Sequence, residues 1–304
     1  MAEVHHFTYG AFNPVASYLV AVLGSFLGLL STGRARSARS RGRRNRWLII
    51  GSFSIGGAIW LMHFTAMLGF DVPQSPVRYS PGMTMISLGL AVVAVGAGLM
   101  AVGHGRRSLP RVVVAGVLTG AGVLAMHYTG MAAMHLSGTI HYNLPLVIAS
   151  ALIAVVASTA ALWFTVSVRG LLPMVGAAAI MGVAVCGMHY TGMAAMSVEL
   201  SNPVRTGLTG LRPLLMIVPL TLLSAATILG VALSALQAMT EEEFTDGAGI
   251  PKRGVHAENP HPWSLKQASL SAGRRTSGNR PSPRPVPPRP ATTVTDEPLI
   301  DARS

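Results

Sequence analysis

Seven long apolar stretches constrain the fold of this chain more than any other feature. None contains an aspartate, glutamate, lysine or arginine, and they cover residues 12–31, 47–70, 83–102, 112–134, 144–168, 171–198 and 213–236. Each reaches the roughly 20 residues that a helix needs to cross about 30 Å of hydrocarbon. Charged residues make up 11% of the chain, against about 25% in soluble domains. The sequence therefore predicts an all-α membrane protein with seven transmembrane helices, and the first stretch is expected to be a retained span.

Arginines are concentrated in alternate loops between these stretches. One set of loops holds Arg34, Arg36, Arg39, Arg41, Arg43, Arg44, Arg46, Arg106, Arg107, Arg111 and Arg169. The other set holds Arg78, Arg205 and Arg212, with Asp71 and Glu199 nearby. Because basic loops stay in the cytoplasm, this pattern predicts an outside amino terminus and a cytoplasmic carboxyl terminus. Membrane topology thus accounts for the net charge of +12, and nucleic-acid binding is not expected.

The composition changes at about residue 241. Residues 241–304 contain half of the chain's 20 prolines and show no periodic apolar pattern. Residues 280–290 read RPSPRPVPPRP, which favours an extended polyproline conformation. We interpret 1–240 as a membrane domain and 241–304 as a disordered, Pro/Arg-rich cytoplasmic tail.

One motif occurs three times among the apolar stretches. Residues 62–67 read MHFTAM, and residues 126–134 and 188–196 both read MHYTGMAAM. The motif histidines, His63, His127 and His189, are 64 and 62 residues apart. Each repeat unit therefore crosses the membrane twice, so the copies have the same orientation and place their histidines at one depth. The sequence predicts three parallel two-helix repeats plus a seventh span outside the triplication.

The residue types in the motif are those of a soft metal site. On a helix, positions i, i+4 and i+7 share a face, which predicts three stripes: His127 with Met131 and Met134, His189 with Met193 and Met196, and His63 with Met67 and Phe70. Thioether sulfur suits Cu(I), and imidazole suits copper, iron, zinc or nickel. Copper fits this ligand set best. The alternatives are that the methionines only pack or that the histidines relay protons.

These motifs resemble the MHYT-domain family of bacterial integral membrane proteins, named for the Met-His-Tyr-Thr sequence at 126–129 and 188–191. The resemblance covers about residues 8–240 and implies a seven-span domain in the bacterial plasma membrane with a copper site near the outer face. It also implies that the domain senses oxygen, carbon monoxide or nitric oxide. The family's proposed ligands correspond to Met62, His63, Met67, Met126, His127, Met131, Met188, His189 and Met193. Many family members continue into cytoplasmic signalling domains, and we expect no such domain in this chain.

The leading functional hypothesis is a membrane sensor that detects a diatomic gas or copper and acts on a cytoplasmic signalling partner. The alternative is a Cu(I)-binding or transport protein without a signalling role. Apart from the histidines, the apolar stretches contain no strong acid–base group, so we do not expect an enzyme.

Overall fold

The computed structural model describes residues 4–5, 7–104, 108–201, 207, 209–213 and 215–223, and a few later positions up to 233. Six long helices account for most of these residues: α1 Phe12–Ser37, α2 Arg41–Met67, α3 Pro81–Gly103, α4 Leu109–Ala132, α5 Leu144–Ser167 and α6 Leu171–Ala194. Each is long and apolar enough to cross a membrane. The prediction of a multi-pass helical membrane protein is therefore confirmed for the first six apolar stretches.

The predicted seventh span lies partly, and the predicted tail wholly, outside the described residues. Residues 213, 215–223, 225–226, 229–230 and 233 are helical, but the other positions of the stretch 213–236 lie outside the described residues, and seven spans remain a prediction. The proposed tail, 241–304, lies wholly outside them.

Local sequence signals explain where several helices begin. Proline occupies the first turn of α3, α4 and α5, where its missing N–H is not needed. The side chains of Ser40 and Asn143 accept hydrogen bonds from the backbone N–H groups of Arg43 and Leu146, each at 3.3 Å. These N-caps satisfy donors that have no partner within the helix.

The six helices form a closed ring. Each helix packs against the next in sequence, and α6 packs back against α1. The ring consists of three hairpins, α1–α2, α3–α4 and α5–α6, and the second helix of each carries one motif copy. This arrangement is that of three parallel two-helix repeats.

The loops at the motif end of the bundle form strands that the sequence did not predict. Strand β1 (Arg78–Tyr79) pairs antiparallel with β2 (Met134–His135), and β3 (Gly138–Tyr142) pairs antiparallel with β4 (Met196–Leu200). Two isolated bridges, His5 to Asp71 and Tyr79 to Leu211, extend this layer. The all-α prediction thus holds for the membrane helices, whereas the connecting loops add two small sheets.

Candidate metal centre

The three motif histidines come together inside the ring. Each lies about one turn before the end of its helix. His63 and His127 are 0% exposed and His189 is 1% exposed. Because α2, α4 and α6 run in the same direction, equal positions along them place the three imidazoles at one level. The predicted clustering of the histidines is what the structure shows.

The planes of the three imidazole rings are nearly perpendicular to one another. Their ring centroids are 4.9–5.2 Å apart, and each pair of ring planes meets at 82–88°. The Nδ1 atoms point to a common centre: His63 to His189 is 3.0 Å, His63 to His127 is 3.2 Å, and His127 to His189 is 3.4 Å. Three ring nitrogens thus form a nearly equilateral triangle.

Hydrogen bonds among the imidazoles cannot pair all three Nδ1 atoms with one another. A neutral imidazole nitrogen carries either a proton or a lone pair, so it is either a donor or an acceptor. Among three mutually close Nδ1 atoms, at least one pair must therefore be donor with donor or acceptor with acceptor. A cation at the centre removes this conflict, because all three lone pairs can then point at it.

The dimensions of the triangle fit a transition-metal ion. For nitrogen ligands about 2.0–2.1 Å from a tetrahedral metal ion, neighbouring ligand atoms lie about 3.3–3.4 Å apart. The observed separations of 3.0–3.4 Å are close to this spacing. His63, His127 and His189 are the only group of at least three potential histidine, cysteine or carboxylate ligands found in the described part of the chain. They could hold a metal ion through three nitrogens, which leaves a fourth position open.

Glycines of the neighbouring motif copies hold two of the rings in place. A methyl group at Gly130 would lie 2.9 Å from Cδ2 of His63, and one at Gly192 would lie 3.0 Å from Cδ2 of His127. Nε2 of His63 and of His127 has no hydrogen-bond partner among the described residues. These imidazoles are therefore oriented by packing, and the glycine of the MHYTG sequence makes room for the ring from the preceding copy. Sequence analysis missed this role, although the glycine recurs at one position in two of the three copies.

The predicted methionine ligands are all buried, but they fall into two sets. Met67, Met131 and Met193 follow the histidines by four residues, so they share a helix face with them. Met62, Met126 and Met188 directly precede the histidines, and neighbouring residues on a helix do not share a face. The structure brings the three imidazoles together, whereas coordination by any of the six sulfurs remains a prediction.

The third member of each predicted stripe is not on a helix. The helices end at Met67, Ala132 and Ala194, and the later motif residues Met134 and Met196 lie on β2 and β4. The interpretation of i, i+4 and i+7 as one helical face was wrong at i+7, because strand pairing begins before the helix can reach that position. Met134, Met196 and Phe70 are nevertheless 4%, 6% and 4% exposed.

Buried aromatic residues surround the first motif copy. Trp60 donates from Nε1 to the carbonyl oxygen of Thr84 and to Oγ of Ser87, both at 3.1 Å. The Tyr79 hydroxyl donates to the carbonyl oxygen of Met67 at 3.3 Å. Tyr79 lies outside the spans, and its burial raises its pKa. These bonds tie α2 to α3 and to the strand layer above the imidazoles. Sequence analysis did not single out Trp60 or Tyr79, because no repeated motif contains them.

Comparison with known proteins agrees with this fold and site. The family described as the bacterial signalling protein N-terminal repeat, MHYT, matches at residues 56–115, 120–178 and 182–246. The chain belongs to the MHYT family and is a multi-pass membrane protein. The third family repeat includes the predicted seventh span, 213–236, so the prediction that this span lies outside the triplication disagrees with the family's repeat, which instead leaves α1 outside. In the structure, α1 packs against α6 as α3 packs against α2 and α5 packs against α4.

Several relatives are signalling proteins. The bifunctional diguanylate cyclase/cyclic di-GMP phosphodiesterase MucR of Pseudomonas aeruginosa is 39% identical over 74% of this chain and 34% of its own length. The cyclic di-GMP phosphodiesterase NbdA of the same species is 34% identical over 66% of this chain and 26% of its own length. The signaling protein YkoW of Bacillus subtilis is 32% identical over 62% of this chain and 24% of its own length. The chain thus spans about a third or less of these relatives. No solved structure matches it.

Proposed function

We propose that this protein is a membrane sensor whose three-imidazole centre binds copper and through it detects a diatomic gas (oxygen, carbon monoxide or nitric oxide) or copper itself. The observation that carries the proposal is the triangle of buried Nδ1 atoms at 3.0–3.4 Å. Three nitrogens leave a tetrahedral ion with one free position. Bound copper would supply a coordination site for a small ligand there.

The choice of copper rests on the donor set. No carboxylate belongs to the cluster found in the described residues, so oxygen-preferring ions such as magnesium and calcium are disfavoured. Thioethers of Met67, Met131 and Met193 lie on the same helix faces as the imidazoles. A mixed imidazole and thioether environment favours Cu(I) over harder ions.

The signalling part of the proposal is supported by the family and its named relatives. Two of these are named for cyclic di-GMP turnover, and each extends well beyond the region that matches this chain. We propose that the membrane domain supplies detection, that it catalyses no reaction itself, and that a cytoplasmic partner or domain supplies the output. Ligand binding would act by favouring one of two helix packings.

A Cu(I)-binding or transport protein is the second candidate. In its favour, Met181 and Met188 line a cavity of about 40 Å³ between the imidazoles and the arginine end of the bundle. The next cavity inward, of about 30 Å³, is lined by aliphatic residues and by Thr119, Ser158 and Thr165. It offers an ion no sulfur or imidazole among the described residues, so the sensor is favoured.

Metal analysis of the purified full chain tests the proposal. After loading with Cu(I) under reducing conditions, we expect wild-type protein to retain copper and H63A, H127A and H189A each to lose most of it. The triple variant should lose little more, because the three residues form one coordination sphere. H141A is the control, since His141 lies on β3 and is exposed. Copper loss that is small and additive across the single variants, or wild-type protein without any transition metal, would refute the metal centre.

Carbon monoxide separates the sensor from a copper carrier. A carbonyl stretching band in the infrared spectrum of the Cu(I)-loaded protein, lost in H127A, would support an open position on the metal. Retained copper without any carbonyl band, together with copper uptake into proteoliposomes, would favour transport.

A further inference from the structure

A basic pocket lies at the end of the bundle opposite the imidazoles. Its volume is about 160 Å³, and its lining residues come from α1, α2, α3 and α5. Arg36 and Arg44 supply its charged groups, and Leu48, Leu99 and Val102 supply apolar walls. The pocket therefore combines positive charge with partial shielding from water.

Arg36 is anchored to the end of a neighbouring helix. Its guanidinium donates to the carbonyl oxygen of Thr165 and, at 2.7 Å, to that of Val168. These are carbonyls of the last turn of α5 and its C-cap, where the helix itself provides no donors. The contacts hold Arg36 in place against α5.

Arg44 lacks such anchoring. Its Nε is buried and has no hydrogen-bond partner among the described residues. The guanidinium stays charged at any pH a protein tolerates. Arg44 as a whole is only partly buried, but a buried N–H donor without a partner is unfavourable. This arrangement indicates that a group from outside the described residues meets Arg44.

The described residues offer no acidic partner at this end of the bundle. Asp71 and Glu199 are the only carboxylates among them. Asp71 follows the end of α2 and Glu199 follows the end of α6, on the side of the imidazoles. Arg44 lies in the first turns of α2, so a length of nearly the whole helix separates it from them. The described residues therefore supply no counter-charge for Arg44.

We propose that this pocket binds a phosphate oxyanion, with Arg44 as its principal charge partner and Arg36 as a second guanidinium. The planar guanidinium fork matches phosphate oxygens and can donate two parallel hydrogen bonds to them. A phospholipid headgroup and a free phosphate share this chemistry. The apolar walls suit the first part of a lipid's acyl chains, and the two guanidinium groups suit either source.

Thermal unfolding of the delipidated full chain tests the site. Inorganic phosphate and phosphatidylglycerol in mixed detergent micelles are the two probes, each compared with chloride at equal ionic strength, because screening alone changes surface electrostatics. We expect at least one probe to raise the unfolding midpoint of the wild type beyond the chloride effect. R44Q should weaken this stabilisation about tenfold in apparent affinity, the value of one hydrogen bond to a charged group. The control R39Q changes an exposed arginine and should behave like the wild type.

Each outcome decides the proposal. An Arg44-dependent effect of inorganic phosphate identifies a soluble anion, and an effect of phosphatidylglycerol alone identifies a headgroup. No effect beyond chloride, or equal weakening by R44Q and R39Q, would overturn the site. If R44Q does not fold, R44K keeps the charge but removes Nε and the fork, and a wild-type response in R44K would also overturn it. So would a loss of stability in R44Q without either probe that disappears when Glu241, Glu242 and Glu243 are changed to Gln, since the chain's own carboxylates would then be the partner.

Discussion

At the level of single residues, two glycines as well as three histidines shape the centre. The motif glycine of one copy faces the imidazole of the preceding copy, at Gly130 with His63 and at Gly192 with His127. The first copy has Ala66 at the corresponding position. A side chain beside His63 or His127 would force the ring to move, and the triangle of Nδ1 atoms would open.

We predict that G192A lowers copper retention severalfold although it changes no ligand. The added methyl group would lie 3.0 Å from Cδ2 of His127, so the imidazole must tilt away from the centre. G187A is the matched control, because it lies on the same helix and a methyl group there meets nothing within 4 Å. The copper content of the two purified variants is the measurement. Equal copper content in both would show that the imidazoles tolerate displacement.

The thioethers of Met131 and Met193 can be tested as ligands by replacing them with leucine. M131L and M193L keep the apolar volume but remove sulfur from the helix faces that carry His127 and His189. If thioethers coordinate the ion, both variants should retain Cu(I) less well while their retention of Zn(II) changes little, because sulfur prefers the softer ion. Competition with a Cu(I) chelator measures this difference.

M100L changes a methionine on α3, away from the motifs, and serves as the control. Indistinguishable Cu(I) affinities in all three variants would assign the methionines to packing, which is the common role of methionine in apolar cores.

At the level of elements, a second set of glycines brings the helices of the ring together. Gly56, Gly120 and Gly182 each lie seven residues before a motif histidine. A methyl group would meet the backbone of α3 at Gly56, the backbone of α5 at Gly120, and side chains of α1 at Gly182. Each motif helix thus contacts the next helix around the ring at an equivalent point. Small residues at such crossings allow the close backbone approach on which helix association in lipid depends.

We predict that G56A destabilises the membrane domain by about 1–3 kcal/mol, the usual effect of overpacking. Its methyl group would lie 2.8 Å from the carbonyl oxygen of Ala91 and 2.9 Å from Cα of Val92, and a backbone cannot yield as a side chain can. The neighbouring variant G57A meets nothing within 4 Å and should be neutral or slightly stabilising. Unfolding midpoints in one detergent compare the two. A stability of G56A equal to that of G57A would show that α2 and α3 can separate without loss.

For the whole molecule, charge distribution and motif position agree on one orientation. The three imidazoles and both small sheets lie at one end of the helices, and the described arginines of α1, α2 and the α5–α6 turn lie at the other. Since basic residues favour the cytoplasmic side, the centre should face outward.

Reporter fusions at residues 40, 140 and 260 test this orientation. With an outside amino terminus, one span precedes residue 40, four precede residue 140 and seven precede residue 260. We therefore expect cytoplasmic activity at 40 and 260 and periplasmic activity at 140. Cytoplasmic activity at 140 would invert the bundle, and periplasmic activity at 260 would remove the seventh span.

The sequence was sufficient for features that depend on local pattern. Charge-free stretches of about 20 residues predict helices because a bilayer admits little else, and all six described spans overlap their predicted ranges. The interval between motif copies predicted that His63, His127 and His189 share one level and one region. Periodicity failed where a helix ended early, before Phe70, Met134 and Met196, because the sequence does not mark where the helix gives way to the loop and strand layer.

Only the tertiary structure decided what surrounds these residues. The helix-to-helix packing sets the Nδ1 separations of 3.0–3.4 Å, and a shift of one turn in α2, α4 or α6 would abolish them. It also decides that Gly192 faces His127 while Gly187 faces open space, and that Arg44 has a buried nitrogen while Arg39 is exposed. These pairs are alike in sequence and differ only in their neighbours, which belong to other helices. Contacts between distant segments depend on how the helices rotate and cross, and a local pattern does not contain that information.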